Sequence, residues 1–411
     1  MVINLSKNKL IALILIIIAY SSFYIVRLNF SFSVPYFIKE YSYTKVQIGL
    51  AFTVFSVVYG LGKLISGMLS DVFHRKNFLV IGLFCSAVIN LFIPSSTNLE
   101  FLIILLVINA VFQSFGWPAC VKIINTVFAK NEIGTVWGIC NASHAIGSSL
   151  VALSVGFILK NFDWHYLFYI PSFFSIAMCM IIFQNTKFLK AKKEQTEKIN
   201  FTKYRTILSK NIFNNSFIWY MSFSTLSLYM VRVTFLNWFP YYLIESCNYS
   251  PEAAALEFTG FEVFGILGGF CTGYIADKFR EENKIGLGFI ISLLLCISVC
   301  SSTILVNHTL IFSLTVFLIG FFVYAIQVIS GLIANDSVER ESTSVATGLL
   351  GAFAYIGASL SGILVGYLVD HYGWNSMFIF IFISSILCCT FFFIATMQTN
   401  KSYNNNIIYN K

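Results

Sequence analysis

The stretch LIALILIIIAYSSFYIVRLNFSFSVP, from Leu10 to Pro35, is apolar apart from hydroxyl and amide groups and one charge, that of Arg27. An apolar run of about 20 residues is long enough to cross the hydrocarbon core of a bilayer as a helix. A guanidinium at the centre of such a helix costs about 2.5–3.5 kcal/mol on insertion scales. The stretch therefore predicts a transmembrane helix whose buried charge has a function.

The composition of the whole chain favours lipid as its solvent. Hydrophobic residues make up 57% of the 411 residues and charged residues only 11%. A soluble domain could not bury so much apolar surface. The ten cysteines lie mostly in apolar runs without metal-ligand spacing, so we expect small core residues and no metal. We attribute the net charge of +8 to cytoplasmic loops and expect no nucleic-acid partner.

Apolar segments recur along the chain, and we predict a transmembrane helix in each of twelve. Their approximate limits are 10–38, 46–69, 78–96, 101–128, 133–159, 165–185, 213–243, 253–276, 285–305, 309–333, 344–369 and 374–397. The first segment is too long for a signal peptide and lacks a cleavage pattern, so we interpret it as a true span. The predicted fold class is all-α and integral to the membrane.

Lysine and arginine set the predicted orientation. With the N-terminus inside, 20 of the 26 basic residues fall on the inner side, three fall in outer loops, and three lie within the membrane, namely Arg27, Lys63 and Arg232. Because cytoplasmic loops carry the excess of basic residues, both termini are predicted to be cytoplasmic. A basic linker over 186–212 separates the predicted N-terminal bundle, 1–185, from the predicted C-terminal bundle, 213–411.

The two halves carry the same motifs at matching positions. GMLSDVFHRK, which starts at residue 67, recurs as GYIADKFREE, which starts at residue 273. The segments 138–164 and 348–374 match at constant offset at Gly138/Gly348, Gly147/Gly357, Ser149/Ser359, Gly156/Gly366 and Trp164/Trp374. A parallel duplication of six-helix units is typical of alternating-access transporters, whose substrate site lies at the repeat interface.

These motifs resemble those of the major facilitator superfamily, which carries Gly-x-x-x-Asp and a basic tail after the second span. More narrowly, the chain is similar to the organophosphate:phosphate antiporter family of glycerol-3-phosphate and hexose-phosphate exchangers and related sugar-phosphate sensors. The resemblance runs from about Tyr20 to Ala395 and rests on YIVRLNF, YGLGKLISGMLSD, GWPAC, NASHAIGSS, YMVRVTFLNWFPYYL, FEVFGILGG and GAFAYIGAS. It implies twelve helices in two pseudo-symmetric six-helix bundles. It also implies a conformational-loop role for Gly67, Asp71, Arg75, Gly273, Asp277 and Arg280.

The repeat supplies a second buried arginine. Arg27 and Arg232 each lie eight residues before a proline, in the first helix of their six-helix unit. We expect the two guanidiniums to converge near the centre of the membrane, where their planar forks suit a phosphate dianion. The alternative is that each arginine pairs with a carboxylate or caps backbone carbonyls. Glu257 and Glu262 are the only plausible membrane acids.

Several other residues are candidates for the same site. Lys63 is either a pathway residue or one that snorkels to the interface, and Glu262 either pairs with Lys63 or Arg232 or satisfies neighbouring hydroxyls. The resemblance implies that His144 lies beside the arginine pair, although its repeat partner is Ala354 and core packing is the alternative. The resemblance also implies six cavity tyrosines, namely Tyr20, Tyr24, Tyr59, Tyr229, Tyr324 and Tyr355.

Two positions depart from the pattern of the resembled family. Leu28 follows Arg27 where glycerol-phosphate members carry a second basic residue, and Asn237 stands where those members carry an acid. Both positions are close to the arginines in sequence, so they leave the organic part of the substrate open. Asn237 remains a candidate substrate-binding residue.

We therefore predict a secondary transporter that exchanges an organophosphate, either a sugar phosphate or glycerol phosphate, for inorganic phosphate by alternating access. The alternatives are a sugar-phosphate sensor of the same fold and a facilitator for another organic anion, such as a carboxylate metabolite or a siderophore. The sequence has no nucleophile–base spacing, phosphate loop or metal cluster, so we expect neither an enzyme nor a cofactor. We expect a monomer in the bacterial inner (plasma) membrane, with a small anionic substrate and the lipid bilayer as its partners.

Overall fold

The computed structural model describes residues 5–69, 75–189, 214–279, 281–305, 309–338 and 343–409. All regular secondary structure in these residues is helical. The α-helices are α1 Lys7–Tyr41, α2 Lys45–Leu69, α3 Arg75–Asn90, α4 Leu99–Gln113, α5 Gly116–Val127, α6 Lys130–Asn141, α7 Ser143–Asn161, α8 Tyr166–Gln184, α9 Ser216–Glu245, α10 Pro251–Ala276, α11 Glu281–Ile304, α12 Thr309–Asp336, α13 Thr343–Tyr372 and α14 Asn375–Tyr409. Short 3₁₀ turns cover Ile93–Ser95 and Thr186–Leu189.

The helices follow the predicted spans in order. In the described ranges, 11 candidate spans have the length and hydropathy of a membrane-crossing helix. Two of these spans contain two helices each, because α4 and α5 share Leu99–Val127, and α6 and α7 share Val136–Asn161. The remaining predicted span, 213–243, corresponds to α9, which is 30 residues long and carries Arg232 and Asn237. With α9 included, each of the twelve predicted segments corresponds to helix in the described residues, which is consistent with a twelve-helix fold.

Side-chain caps explain where some helices begin. The side chain of Asn98 accepts a hydrogen bond of 2.8 Å from the backbone N–H of Phe101 at the start of α4. At the start of α6, Glu132 accepts a bond of 2.7 Å from the backbone N–H of Ala129 and pairs with Lys9 of α1 at 2.6 Å. The pKa of Glu132 is lowered mainly by the hydrogen bond from Lys9 and to a smaller extent by the hydrogen bond from the backbone of Ala129. Glu132 therefore joins the ends of two helices in the N-terminal half.

The chain separates into two compact units. Unit 1 comprises residues 1–197 and 236–259, and unit 2 comprises residues 198–235 and 260–411. In unit 1, α1 packs against α7 and α8, and α3 packs against α4 and α8. In unit 2, α11 packs against α12 and α14, and α13 also packs against α12 and α14. The predicted boundaries 1–185, 186–212 and 213–411 follow the sequence repeat and stay a prediction.

The end of α9 and the start of α10 belong to unit 1. The rings of Phe52 and Trp238 meet edge to face with centroids 5.6 Å apart. Lys45 at the start of α2 forms an ion pair of 3.0 Å with Glu245. These contacts join the segment 236–259 to the helices of the N-terminal half.

Repeat-related glycines mark the places where helices cross most closely. A Cβ atom added to Gly147 of α7 would lie 2.3 Å from the carbonyl oxygen of Ser21 in α1. A Cβ atom added to Gly357 of α13 would lie 2.2 Å from the carbonyl oxygen of Leu226 in α9. Either contact is far shorter than a van der Waals distance, so only glycine allows the two helix backbones to approach in this way.

The two crossings lie at the same register relative to the arginines. Ser21 precedes Arg27 by six residues, and Leu226 precedes Arg232 by six residues. Each arginine-bearing helix is therefore held by a glycine of its own half, a little less than two helix turns before the charge. The internal duplication accordingly appears in the backbone packing as well as in the sequence.

We expect Gly147→Ala and Gly357→Ala to destabilise the protein by about 1–3 kcal/mol each, because the added methyl group forces two backbones apart. Thermal unfolding of the detergent-solubilised protein measures this loss. The matched controls are Gly138→Ala and Gly348→Ala, since a Cβ atom at either position meets nothing within 4 Å. Alanine at the control positions should leave the unfolding temperature unchanged or raise it. An equal fall in the unfolding temperature of all four variants would show that the close helix crossings at Gly147 and Gly357 are not what makes these glycines necessary.

Candidate functional site

The guanidinium of Arg27 in unit 1 is surrounded by aromatic rings. Its Cζ atom lies 4.6 Å from the ring centroid of Tyr59, 4.8 Å from that of Phe55 and 5.6 Å from that of Tyr24. A guanidinium within about 6 Å of a ring centroid is attracted by the ring quadrupole. The rings therefore stabilise the positive charge of Arg27 without contributing a formal negative charge.

Other predicted residues lie next to this group of rings. The Tyr24 ring contacts the Tyr20 ring at 5.5 Å between centroids and the imidazole of His144 at 5.4 Å. His144 is buried in the first turn of α7, directly after the break between α6 and α7. Lys63 is partly exposed on α2, one helix turn after Tyr59. Unit 1 thus brings Tyr20, Tyr24, Arg27, Tyr59 and His144 into one continuous set of contacts.

Arg232 in unit 2 is held mainly by hydrogen bonds to neutral oxygen atoms. Its Nη1 donates to Oε1 of Gln327 at 2.9 Å and to the hydroxyl of Tyr229 at 3.4 Å. Its Nη2 donates to the hydroxyl of Tyr324 at 3.2 Å. Only 4% of Arg232 is exposed. The bonds fix the plane of the guanidinium, and its charge is retained in a buried position.

A single hydroxyl links Arg232 to the buried acid Glu262. The hydroxyl of Tyr324 accepts from Arg232 and donates to Oε2 of Glu262 at 2.5 Å. Glu262 has no exposed surface. Of the two roles expected for Glu262, the hydrogen bond to a neighbouring hydroxyl is observed. A phenol that donates to one buried group and accepts from another couples the two without a direct contact.

The two arginines receive their covering ring from different helices. The ring of Tyr59, from α2, lies over Arg27. The repeated Gly-x-x-x-Asp motifs are 206 residues apart, and at this offset the repeat partner of Tyr59 is Gly265 of α10. A Cβ atom at Gly265 would lie 2.5 Å from the ring of Tyr324. The ring of Tyr324, from α12, lies 4.7 Å from Cζ of Arg232. The absence of a side chain at Gly265 therefore makes room for the ring that covers Arg232.

Gln327 is a contact of Arg232 that the sequence analysis did not identify. It lies three residues after Tyr324, so both side chains fall on one face of α12. An amide in an apolar span, one turn from a candidate tyrosine, is the signal that could have indicated it. Phe55 was missed as well, because a phenylalanine among 44 carries no distinguishing mark.

The remaining predicted residues lie at the edge of these groups or beyond them. The ring of Tyr355 lies 6.3 Å from that of Tyr229, between centroids. Asn237 is buried in the part of α9 that belongs to unit 1. Gly67 lies in the last turn of α2, and Arg75 is the first residue of α3. Gly273 lies in the last turn of α10, and Asp277 directly follows that helix. Asp71 and Arg280 lie outside the described residues, as does the side chain of Arg75. No group of three or more His, Cys, Asp or Glu side chains suited to a metal occurs in the described ranges.

The sequence and the fold identify the class of protein. The chain matches the Major Facilitator Superfamily over residues 13–344 and 287–407, and it belongs to that family. It is also similar in fold to a bacterial homologue of the human lysosomal transporter Spinster, with a TM-score of 0.81 at 14% identity over 97% of this chain and 99% of that one. The predicted all-α membrane fold of major facilitator type is therefore confirmed, and the chain is an integral membrane protein.

Relatives with assigned names resemble the chain over nearly its whole length. The glycerol-3-phosphate transporter of Bacillus subtilis (strain 168) is 30% identical over 94% of this chain and 91% of its own length. A probable hexose phosphate transport protein of Chlamydia pneumoniae is 27% identical over 94% and 90%, respectively. The membrane sensor protein UhpC of Escherichia coli (strain K12) is 28% identical over 91% and 89%. The narrower resemblance noted from the motifs is confirmed by these relatives.

We expect Tyr324→Phe to destabilise the protein by about 1–3 kcal/mol, because it leaves a buried donor of Arg232 and a buried acceptor of Glu262 without their shared hydroxyl. Thermal unfolding without ligand measures the loss. In the Glu262→Gln background the same substitution should cost less, since the strongest bond of the hydroxyl has already been weakened. Strictly additive losses in this double-mutant cycle would show that the hydroxyl does not couple the two groups.

Proposed function

We propose that the protein exchanges an organophosphate, glycerol phosphate or a sugar phosphate, for inorganic phosphate by alternating access across a bacterial inner membrane. In this proposal Arg27 and Arg232 bind the phosphate group, and both chain termini are cytoplasmic. The single observation that carries the proposal is the repeated guanidinium within the membrane, once in each half of the duplicated chain. The names of the relatives, a glycerol-3-phosphate transporter and a hexose phosphate transport protein, support the substrate class.

The surroundings of the arginines favour an anionic substrate. The rings around Arg27 and the neutral oxygens around Arg232 stabilise two guanidiniums, which stay protonated at physiological pH. A guanidinium presents several N–H donors in one plane, which suits the oxygen atoms of a phosphate better than a point charge does. Phosphate carries up to two negative charges near neutral pH, so one group can satisfy two cations.

Obligatory exchange follows from the cost of buried positive charge. In the closed intermediate through which an alternating-access carrier must pass, both arginines would lose water, and without an anion that loss makes the intermediate unfavourable. A bound phosphate group offsets that cost and makes reorientation possible in either direction. His144 would add a hydrogen-bond donor to the phosphate, since its ring contacts Tyr24 beside Arg27. Lys63 and the candidate tyrosines would extend the site toward the organic part of the substrate.

Two further functions are each favoured by one observation. The similarity to the membrane sensor protein UhpC favours a sensor of the same fold that binds a sugar phosphate without net transport. The neutral residues Leu28 and Asn237, which stand where glycerol-phosphate members of the family carry charges, favour a different organic anion. We prefer exchange to the sensor because two of the relatives are named as transporters, and we prefer phosphate to another anion because two arginines suit its charge.

We expect vesicles loaded with inorganic phosphate and containing the purified protein to take up labelled glycerol 3-phosphate or glucose 6-phosphate. Empty vesicles should not, because reorientation requires a bound anion. Arg27→Lys and Arg232→Lys should each slow the exchange about 10–100-fold, since lysine cannot make the paired hydrogen bonds of the guanidinium. Initial rates at several substrate concentrations measure the effect.

Arg205→Lys is the matched control, because it makes the same replacement in the predicted linker, and it should exchange at the wild-type rate. Full exchange by Arg27→Lys would refute the binding role of the arginines. Uptake into empty vesicles at the same rate would exclude obligatory exchange. Binding of labelled sugar phosphate without any uptake would favour the sensor, and competition by carboxylates but not by phosphate would favour another anion.

A further inference from the structure

The helix that carries Arg27 is broken one residue before the arginine. Val26 has φ −90° and ψ 15°, whereas a regular α-helix has values near −63° and −42°. The changed ψ rotates the peptide group between Val26 and Arg27, whose N–H would be directed at the carbonyl oxygen of Phe23, four residues earlier, in a regular helix. A break at this point therefore weakens the hydrogen bonds of the turn that leads into Arg27.

Side chains from other helices bind the carbonyl groups of this turn. Nε2 of Gln113, the last residue of α4, donates to the carbonyl oxygen of Phe23 at 3.0 Å. The hydroxyl of Ser175 in α8 donates to the carbonyl oxygen of Ser22 at 3.4 Å. A carbonyl that leaves the helical ladder inside a membrane needs such a partner, because lipid offers none. The hydrogen bond from the Gln113 side chain is the shorter of the two, and its acceptor, Phe23, lies three residues before Val26.

The amide of Gln113 is itself held by a buried network. Its Nε2 also donates to Oγ of Ser86 at 2.8 Å, and that hydroxyl donates to Oδ1 of Asn109 at 2.7 Å. Only 2% of Gln113 is exposed. Both hydrogens of the amide group have acceptors, one in α1 and one in α3, so the side chain has a single arrangement that satisfies it.

Glycines allow α3 and α5 to enclose Phe23. A Cβ atom at Gly116 would lie 2.9 Å from the Phe23 ring, and one at Gly82 would lie 3.3 Å from it. Phe23 is therefore restrained at two places: its ring packs against α3 and α5, and its carbonyl oxygen accepts a hydrogen bond from Gln113. This arrangement fixes the turn from which Arg27 projects.

We infer that Gln113 is a positioning residue for Arg27, which acts through the backbone of α1 by holding the Phe23 carbonyl at the break. At Arg232, an amide acts on the guanidinium itself, because Gln327 of α12 accepts a hydrogen bond from it. The consequence for phosphate binding rests on the proposed function, whereas the restraint on α1 does not. Gln113 does not itself need to touch the substrate.

The test compares Gln113→Leu with Asn90→Leu. Asn90 is also a buried amide, and its Nδ2 donates to Oγ of Ser172 at 3.0 Å and to the carbonyl oxygen of Phe168 at 3.4 Å, both in α8. Each leucine removes one amide and two hydrogen bonds, so both variants should unfold at a lower temperature. Only Gln113→Leu should speed amide hydrogen exchange in the peptide 20–30 and raise the Kd for inorganic phosphate by about tenfold.

A double mutant tests whether Gln113 acts through the arginine. In the Arg27→Lys background, Gln113→Leu should raise the phosphate Kd much less than it does in the wild type, because the group that it positions is gone. Ser86→Ala removes only the hydroxyl that accepts a hydrogen bond from the Gln113 amide. It should cause a smaller increase in both the amide hydrogen exchange of the peptide 20–30 and the phosphate Kd. This milder variant also serves if Gln113→Leu does not fold.

Equal exchange in the peptide 20–30 for Gln113→Leu and Asn90→Leu would overturn the inference, as would equal increases in the Kd or full additivity with Arg27→Lys. A wild-type protein that binds no inorganic phosphate by calorimetry would instead overturn the proposed function. In that case the comparison of amide hydrogen exchange in the peptide 20–30 still decides whether Gln113 restrains α1 at the break. The two failures are therefore distinguishable.

Discussion

The structure depends on the requirement that a permanent positive charge inside a membrane be solvated by the protein. A guanidinium does not lose its proton at physiological pH, so burial cannot neutralise it. Aromatic rings lie within cation–π distance of both guanidiniums. Arg27 is surrounded by the rings of Tyr24, Phe55 and Tyr59, whereas Arg232 donates to an amide oxygen and two phenol hydroxyls. The rings and oxygen atoms named here are neutral groups, which stabilise a guanidinium through the ring quadrupole or by accepting its N–H hydrogens.

The scaffold that places these charges is built from backbone contacts. Gly147 and Gly357 bring a helix of each half against the arginine-bearing helix, six residues before the charge. In the N-terminal half the break at Val26 then redirects the chain immediately before Arg27. A close crossing fixes where the helix lies, and the break fixes which way its next turn points. Together they determine the position of a side chain that is too long to be positioned by its own helix alone.

Much of the fold, but only part of the candidate site, could be predicted from the sequence. The twelve spans follow from local hydropathy, and the duplication follows from motifs that keep their spacing. The grouping of Tyr20, Tyr24 and Arg27 follows from helical periodicity. Gln327 and Gln113 could not be assigned, because an amide in an apolar helix does not reveal which distant group it bonds. The breaks within the fourth and fifth spans were also missed, since hydropathy is continuous across them.

The sequence by itself determined the membrane as solvent, the order of the helices and the identity of the charges within the spans, because each depends on composition over a short window. Tertiary structure alone decided what surrounds each charge. The ring that covers Arg232 comes from Tyr324 because Gly265, far away in sequence, leaves the space empty. The hydroxyl of that ring, rather than a direct contact, links the arginine to Glu262. Such arrangements depend on volume and distance between helices, which no local pattern encodes.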